Sequence, residues 1–259
     1  MMEVQDQLQR KILLPKVPKR IISLVPSQTE LLVDMGLEQN LVGITKFCVH
    51  PKYLRKAKTI VGGTKQVKLE KIKALKPDII FCNKEENTKE MVVTLEEIAP
   101  VHVSDIVKIE DAFELMNQYG QIFHKEALVG TMVNSVRKKI TSLQEQIQGK
   151  PIRKVAYFIW KEPLMVVGKD TFIDELLKLN KFENVFMEAR YPETTIEELK
   201  AKNPDLLLLS SEPFPFEEKH KEYFSNLNVE MKLVDGEYFS WYGSRLIKAL
   251  DYFKKLSAQ

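Results

Sequence analysis

One spacing constrains this chain more than any other: a ten-residue pattern occurs twice, half a chain apart. Leu69-Glu70-x-x-x-Ala74-x-x-Pro77-Asp78 precedes the apolar run Ile79-Ile80-Phe81-Cys82 and then Glu85. Ile196-Glu197-x-x-x-Ala201-x-x-Pro204-Asp205 precedes Leu206 to Leu209 and then Glu212, and every matched position shifts by 127 of the 259 residues. The start of each half agrees in kind, Arg20-Ile21-Ile22-Ser23-Leu24 against Lys154-Val155-Ala156-Tyr157-Phe158. So does the continuation, Leu31 to Met35 with Asn40-Leu41 against Ile173 to Leu179 with Asn184-Val185. An x-Pro-Asp turn before a strand is common on its own. Two copies of one α/β unit are the simplest account of all four agreements together.

Within the first copy, Arg20 to Val25 reads as a buried strand. Ser27-Gln28-Thr29-Glu30 has the S-x-x-E form of a helix capping box ahead of Leu31, Leu32 and Met35, and Gly36 ends that helix. Strands are expected at Leu41 to Thr45 and Ile79 to Cys82, with a helix from Leu69 to Leu75 that Pro77 terminates. Strands alternating with helices imply a parallel sheet. Between the copies, residues 109–148 carry an apolar stripe at helical spacing, from Phe113 and Met116 through Leu128, Met132 and Val136 to Ile147. Its second part, 125–148, contains no Pro and would run about 36 Å as one helix. The expectation is an α/β chain of two Rossmann-like lobes with parallel sheets, joined by a single long α-helix, with a ligand cleft between the lobes. The boundaries are 19–124, 125–149 and 150–259. A core helix inside one domain is the alternative.

Composition narrows the function classes. Apolar residues make up 44% and charged residues 29%, with only 10 Gly and 12 Pro, so a disordered or low-complexity chain is excluded. Net charge is +3 with both signs interspersed, which argues against a concentrated phosphate-binding patch and makes nucleic acid an unexpected partner. Cys48 and Cys82 are the only cysteines and form no C-x-x-C pair, which excludes a disulfide framework or a zinc ribbon. Met1 to Pro15 offers no signal-peptide h-region. The longest apolar run, Val155 to Trp160, is far short of the ~20 residues that span a bilayer.

In a parallel sheet, ligands gather at the carboxyl ends of the strands. The segments there are polar and aromatic: Pro26 to Thr29, Phe47 to Pro51, Gly62 to Lys65, Asn83 to Asn87, Trp160 to Pro163, Ser210 to Phe216 and Tyr238 to Arg245. Aromatics with a polar tip suit a wet recognition pocket; the plainer reading is that Trp160 and Trp241 cap cores. No phosphate loop, G-x-G-x-x-G, H-E-x-x-H or G-x-S-x-G elbow is present. Cys48 and His50, two apart, could face one side as thiol and imidazole, against the plainer pairing of a buried Cys with a loop His. Cys48, His50, Glu85 and Glu212 are the one set with the chemistry of a bare metal-ion site. A bulky chelated metal needs fewer direct ligands: aromatic loops supply contact, and Lys65, Lys161 and Arg245 could meet peripheral anionic groups.

Taken together, Arg20 to Glu30, Phe47-x-x-x-Pro51, Val61-Gly62-Gly63, Leu69-Glu70-x-Ile72-x-Ala74-Leu75-x-Pro77-Asp78 and Gly168 to Phe186 resemble the substrate-binding proteins of bacterial ABC importers for vitamin B12, haem and ferric siderophores. The likeness covers nearly the whole chain from Lys19. It implies two α/β lobes bridged by one helix, a ligand held without chemistry, no catalytic cofactor, and an ABC permease and ATPase as partners of a monomeric receptor. It also implies docking on the permease through one glutamate per lobe, Glu70 by direct motif match and Glu197 through the repeat. Thr194-x-x-Glu197 has capping-box form as well. By the same likeness, Gln28, Phe47, His50, Thr64, Lys65, Trp160, Glu212, Tyr238, Trp241, Tyr242 and Arg245 would contact the ligand. The implied location is extracytoplasmic, while the missing export signal leaves a cytoplasmic one open. The main expectation is a receptor for cobalamin, haem or a ferric siderophore. Two alternatives are a metal-ion carrier or sensor using Cys48, His50, Glu85 and Glu212, and an enzyme with Cys48 as nucleophile.

Overall fold

Short apolar and β-branched runs bounded by turns make the strands, and amphipathic runs make the helices laid over them. The structure is a computed structural model that describes residues 2–258 and divides the chain into two units. Met1–Ile106, Glu110–Ser135 and Tyr242–Leu246 form unit 1; Val107–Ile109, Val136–Trp241 and Ile247–Gln259 form unit 2.

Unit 1 opens with a hairpin, β1 (Met2–Gln5) and β2 (Lys11–Leu14). There follow β3 (Ile21–Ser23), α1 (Pro26–Asp34), β4 (Leu41–Thr45), α2 (Leu54–Ala57), β5 (Thr59–Gly62), α3 (Leu69–Ala74), β6 (Ile79–Asn83), α4 (Lys89–Glu96), β7 (Val101–Ser104), α5 (Ile109–Phe123) and α6 (Glu126–Ile147). The sheet order is β5-β4-β3-β6-β7, with every pair parallel. Ile22, Leu24, Ile80 and Cys82 pack with Ile72 of α3 and Leu95 of α4 in one core cluster. Unit 2 contains β8 (Arg153–Trp160), β9 (Met165–Val166), α7 (Phe172–Leu179), β10 (Phe182–Asn184), α8 (Ile196–Lys202), β11 (Leu206–Ser210), β12 (Glu230–Val234), α9 (Gly236–Ser240) and α10 (Leu246–Ala258). Its parallel order is β10-β8-β11-β12, with β9 antiparallel on β8. Ala156, Phe158, Leu207 and Leu209 pack with Leu199 of α8, Phe186 and Phe224.

The repeated motif does the same work twice. In unit 1, Asp78 N donates to Arg20 O at 2.8 Å, and Arg20 N donates back to Asp78 Oδ2 at 3.0 Å. In unit 2, Asp205 N donates to Lys154 O at 2.8 Å, and Lys154 N donates to Asp205 Oδ2 at 2.8 Å. Lys76 (φ 43°) and Asn203 (φ 45°) hold the left-handed conformation that closes the preceding helix. The motif therefore ends a helix and stitches the entry of one strand to its neighbour.

Residues 109–148 form two helices, α5 and α6, with the chain breaking at His124 (φ 52°) between them. The 22-residue α6, about 33 Å long, begins among the residues of unit 1 and ends among those of unit 2. Ser27-x-x-Glu30 is not a capping box: the N-cap is Val25 without a side-chain bond, and Pro26 occupies the first turn. Thr195 rather than Thr194 caps α8, accepting from Glu198 N at 3.1 Å.

Nothing in the sequence reading anticipated the N-terminal hairpin. Asp6, fully buried, accepts from Leu8 N and Arg10 N through Oδ1 and from Val103 N through Oδ2. Arg10 in turn donates to Val101 O. The hairpin turn thus covers the outer edge of β7, which would otherwise present unpaired backbone groups.

The segment Tyr242–Leu246 belongs to unit 1 although its neighbours on both sides belong to unit 2. Arg245 holds it there through a two-point ion pair with Glu30, Nε to Oε2 at 2.6 Å and Nη2 to Oε1 at 3.0 Å, both side chains being almost wholly buried. Removing one partner leaves a buried charge uncompensated. Arg245→Ala and Glu30→Ala are each expected to cost about 3–5 kcal/mol in urea unfolding, while the paired replacement Glu30→Leu with Arg245→Met costs less than the sum. A strictly additive pair would show that the two side chains do not stabilise each other.

His102 on β7 packs against the contacting rings of Phe81 and Tyr119, 5.5 Å from each, and meets Gln118 Oε1 at 2.8 Å. Burial pushes its pKa down from 6.5 to about 4, against the raising effect of the Gln118 bond. The unfolded chain therefore binds a proton that the folded chain does not, between pH 6.5 and 4. Stability is complete above pH 6.5 and declines by roughly 3 kcal/mol on acidification to pH 4. His102→Asn should flatten that part of the Tm-against-pH curve; an unchanged slope would locate the titration elsewhere.

Candidate functional site

At the end of β4 the backbone turns on Thr45, whose hydroxyl accepts from Phe47 N at 3.3 Å. The turn sends Phe47 outward, 48% exposed, and Cys48 inward, fully buried. Cys48 Sγ lies 3.1 Å from Thr29 Oγ1 and 3.3 Å from Thr45 Oγ1. Burial pushes its thiol pKa up, and the two hydroxyls only partly oppose this, so the thiol keeps its proton. Both cysteines are free and buried, and neither is a nucleophile facing a site.

At the end of β5, Gly63 N donates to Gln66 O, Asn87 Nδ2 donates to Thr64 O, and Lys65 Nζ donates to Glu85 O at 2.5 Å. This loop and Phe47 enclose a cavity of about 780 Å³ that also takes in Lys46, Thr64, Lys65, Lys68 and Lys71. None of its four lysines forms an ion pair with a described carboxylate. Lys46 Nζ stands 5.0 Å from the Phe47 ring centre, while Lys71 Nζ reaches Ile60 O. The cavity is thus electropositive with one aromatic wall. Sequence reading found Phe47, Thr64 and Lys65 but missed Lys46, Lys68 and Lys71, which their close spacing would have signalled.

Other nominated residues turn out to be framework. Gln28 is buried and fully engaged: Tyr119 OH donates to its Oε1 at 2.7 Å, and its Nε2 donates to Ser104 Oγ at 2.7 Å and Tyr242 OH at 3.0 Å. Tyr242 is buried in the same network, and Arg245 is held by Glu30. All three are buried, with polar groups turned to protein partners. Trp241, 8% exposed, packs into unit 2, where it hydrogen-bonds Glu212.

In unit 2, Trp160 at the end of β8 is 38% exposed and meets Phe214 edge-on at 5.8 Å. Phe214 in turn packs on Phe216 at 4.8 Å and on His220 at 5.2 Å. Phe214 and Phe216 belong to a segment the sequence reading marked as aromatic, whereas His220 was not singled out. Glu212, half-buried after β11, receives a hydrogen bond from Ser240 Oγ at 2.6 Å. Burial pushes its carboxyl pKa up, and the fields of Glu237 and Asp235 add to the effect. Gly236 allows this close packing, since a Cβ there would lie 2.3 Å from Ser210 Oγ and 2.5 Å from Glu212 Cγ. Tyr238 is half-buried and stacked on Tyr252 at 4.9 Å.

Among the described residues, no group of three or more His, Cys, Asp or Glu gathers where it could hold a metal ion. Cys48 lies in the core, His50 and Glu85 are half-buried in separate loops of unit 1, and Glu212 belongs to unit 2. The bare-ion site expected of these four residues is not assembled. Glu70 stands exposed at the start of α3, 3.2 Å from Lys73 Nζ, and Glu197 stands exposed in the first turn of α8. No helix among the described residues is long and apolar enough to cross a membrane.

Comparison with known proteins agrees with this arrangement. The family model described as "Periplasmic binding protein" matches residues 21–226. An uncharacterized ABC transporter substrate-binding lipoprotein of Bacillus subtilis is 24% identical over 263 residues, 96% of this chain and 82% of the relative. The vitamin B12-binding protein of Pectobacterium carotovorum is 23% identical over 238 residues, 90% of this chain and 86% of the relative. Among solved structures, a periplasmic heme-binding protein of Pseudomonas aeruginosa aligns with TM-score 0.81 at 20% identity, covering 92% of both chains. The petrobactin-binding protein of Bacillus subtilis aligns with TM-score 0.82 at 18% identity, covering 100% of this chain and 99% of that one. At these identities the structures speak to the fold.

The buried, hydroxyl-bonded thiol generates a test of the nucleophile alternative. In the folded protein, iodoacetamide should leave Cys48 and Cys82 unmodified over hours at pH 8, and should label both within minutes in urea, as mass spectrometry of peptides would report. Rapid native-state labelling of Cys48 would place the thiol at the surface and reopen that alternative.

Proposed function

The chain belongs to the periplasmic binding protein family, and on that premise we propose that it is the substrate-binding receptor of an ABC importer, carrying a metal chelate of the cobalamin, haem or ferric siderophore class. The single observation that favours a chelate is the unit 1 cavity, an aromatic wall beside four cations that no carboxylate neutralises. Such a surface suits a large complex whose metal is already enclosed by its own ligand, with anionic groups at the periphery. Relatives described as a substrate-binding lipoprotein and as a vitamin B12-binding protein support the receptor role and an extracytoplasmic location.

In unit 1 the residues offered to a ligand are Phe47, His50, Thr64 and Lys65; in unit 2, taken by itself, they are Trp160, Glu212 and Tyr238. Phe47 and Trp160 carry the contact area, since both are large and exposed. Lys65 supplies charge, and Glu212, its pKa raised, offers a carboxyl that more readily keeps a proton and can donate as well as accept. Glu70 and Glu197 dock on the permease, whose ATPase drives transport. The protein binds without chemical transformation, a reading supported by the binding-protein family and by a Cys48 thiol that faces inward.

Calorimetric titration of the full chain with cyanocobalamin, haem and ferric siderophores tests the reading. At least one is expected to bind at micromolar Kd or tighter, and Phe47→Ala or Lys65→Gln should weaken that binding by about tenfold, or 1.4 kcal/mol. Charge reversal at Glu70 and Glu197 should lower transport and leave affinity level. Binding of none of these ligands would overturn the proposal.

A further inference from the structure

The whole-chain balance of +3 conceals a local run that corrects the expectation of interspersed charge. Between Lys46 and Lys76 there are ten basic residues and one acidic residue, Glu70, so the remainder of the chain is net negative. This run builds one margin of unit 1: the loop after β4, helix α2, edge strand β5 and helix α3, with β5 outermost in the sheet. Lys52, Arg55, Lys56, Lys65, Lys68 and Lys71 are all exposed, and none forms an ion pair with a described carboxylate. Two large aromatic side chains share the margin, Phe47 at 48% and Tyr53 at 52% exposure, the latter donating to Glu38.

We propose that this margin is a docking surface for the anionic phospholipid headgroups of a bilayer, a partner distinct from both the ligand and the permease. Three observations favour headgroups over an acidic protein face. Nine of the ten cations are lysine, a compact point charge without the rigid fork by which arginine fixes a carboxylate or phosphate in one geometry. Four of the ten line the cavity, and the other six, Lys52, Arg55, Lys56, Lys58, Lys73 and Lys76, run around the sheet edge outside it, which fits a fluid surface whose groups rearrange to meet them. Tyr53 is amphipathic and Phe47 apolar, both kinds of side chain that settle at a membrane interface. Juxtamembrane clusters of this size bind anionic leaflets, each cation adding to the attraction and salt screening it.

Sedimentation with vesicles of pure phosphatidylcholine and of equal parts phosphatidylcholine and phosphatidylglycerol tests the proposal on the full chain. The protein should pellet with the anionic vesicles at 50 mM salt, remain in solution with the neutral ones, and release as salt rises to 500 mM. The triple variant Lys52→Gln, Arg55→Gln, Lys56→Gln, which spares every cavity residue, should bind anionic vesicles at least tenfold more weakly. A control triple of equal charge loss on unit 2, Lys154→Gln, Lys200→Gln, Lys219→Gln, should bind as the parent does. Equal losses in both triples, or binding to neutral vesicles, would overturn the proposal. So would a short DNA duplex that displaces the protein from anionic vesicles at equal phosphate concentration, since the margin would then be a general polyanion site. Chelate affinity measured on the same variants separates this outcome from the receptor reading, which survives or fails independently.

Discussion

A charge buried from water must be matched, and in this protein the match is made between residues 215 apart in sequence. Arg245 and Glu30 hold the segment Tyr242–Leu246 on α1, and the turn fits because Gly243 takes a left-handed φ of +82° that side chains rarely adopt. Seated there, Tyr242 receives from Gln28, and Gln28 is completed by Ser104 and Tyr119. The floor under the strand ends of unit 1 is therefore a closed polar network with its groups satisfied by one another. Such a network rigidifies when complete and destabilises when any member is lost. Outside it, exposed or half-buried, stand Phe47, Thr64, Lys65 and their lysine neighbours.

The parts of the fold that were legible in sequence are those whose physics is local. Pro77-Asp78 and Pro204-Asp205 could be read because a proline must end the helix before it and an aspartate beside it can bond the backbone of an adjacent strand. α3 and α8 accordingly start at Leu69 and Ile196, and β6 and β11 at Ile79 and Leu206, each pair 127 residues apart. The Ser27-x-x-Glu30 motif misled for the opposite reason. Its spacing is that of a local cap, but the partner that claims Glu30 lies near the other end of the chain, where no window reaches. Thr194 missed by one residue because Thr195 offers the same hydroxyl one step closer to Glu198.

Site residues divided along the same line. Phe47 and Trp160, nominated from their loop positions, stand exposed, Trp160 with its Nε1 donating to Glu162 O. Gln28, Trp241, Tyr242 and Arg245 have polar tips that suit a ligand equally well, and only the coordinates show those tips turned to protein partners. Cys48 and His50 looked like a pair because strand alternation would put them on one side. The chain is already turning at Thr45, so one points into the core and the other does not.

The two copies differ where a binding protein can afford to differ. At the strand entries both keep the same reciprocal backbone stitch through Asp78 and Asp205, because losing it would leave backbone groups unpaired beside a parallel sheet. At the strand exits no such constraint applies, and the copies have diverged in character. Unit 1 carries unneutralised lysines around Phe47, and unit 2 carries the ledge of Trp160, Phe214 and His220 beside the buried carboxyl of Glu212.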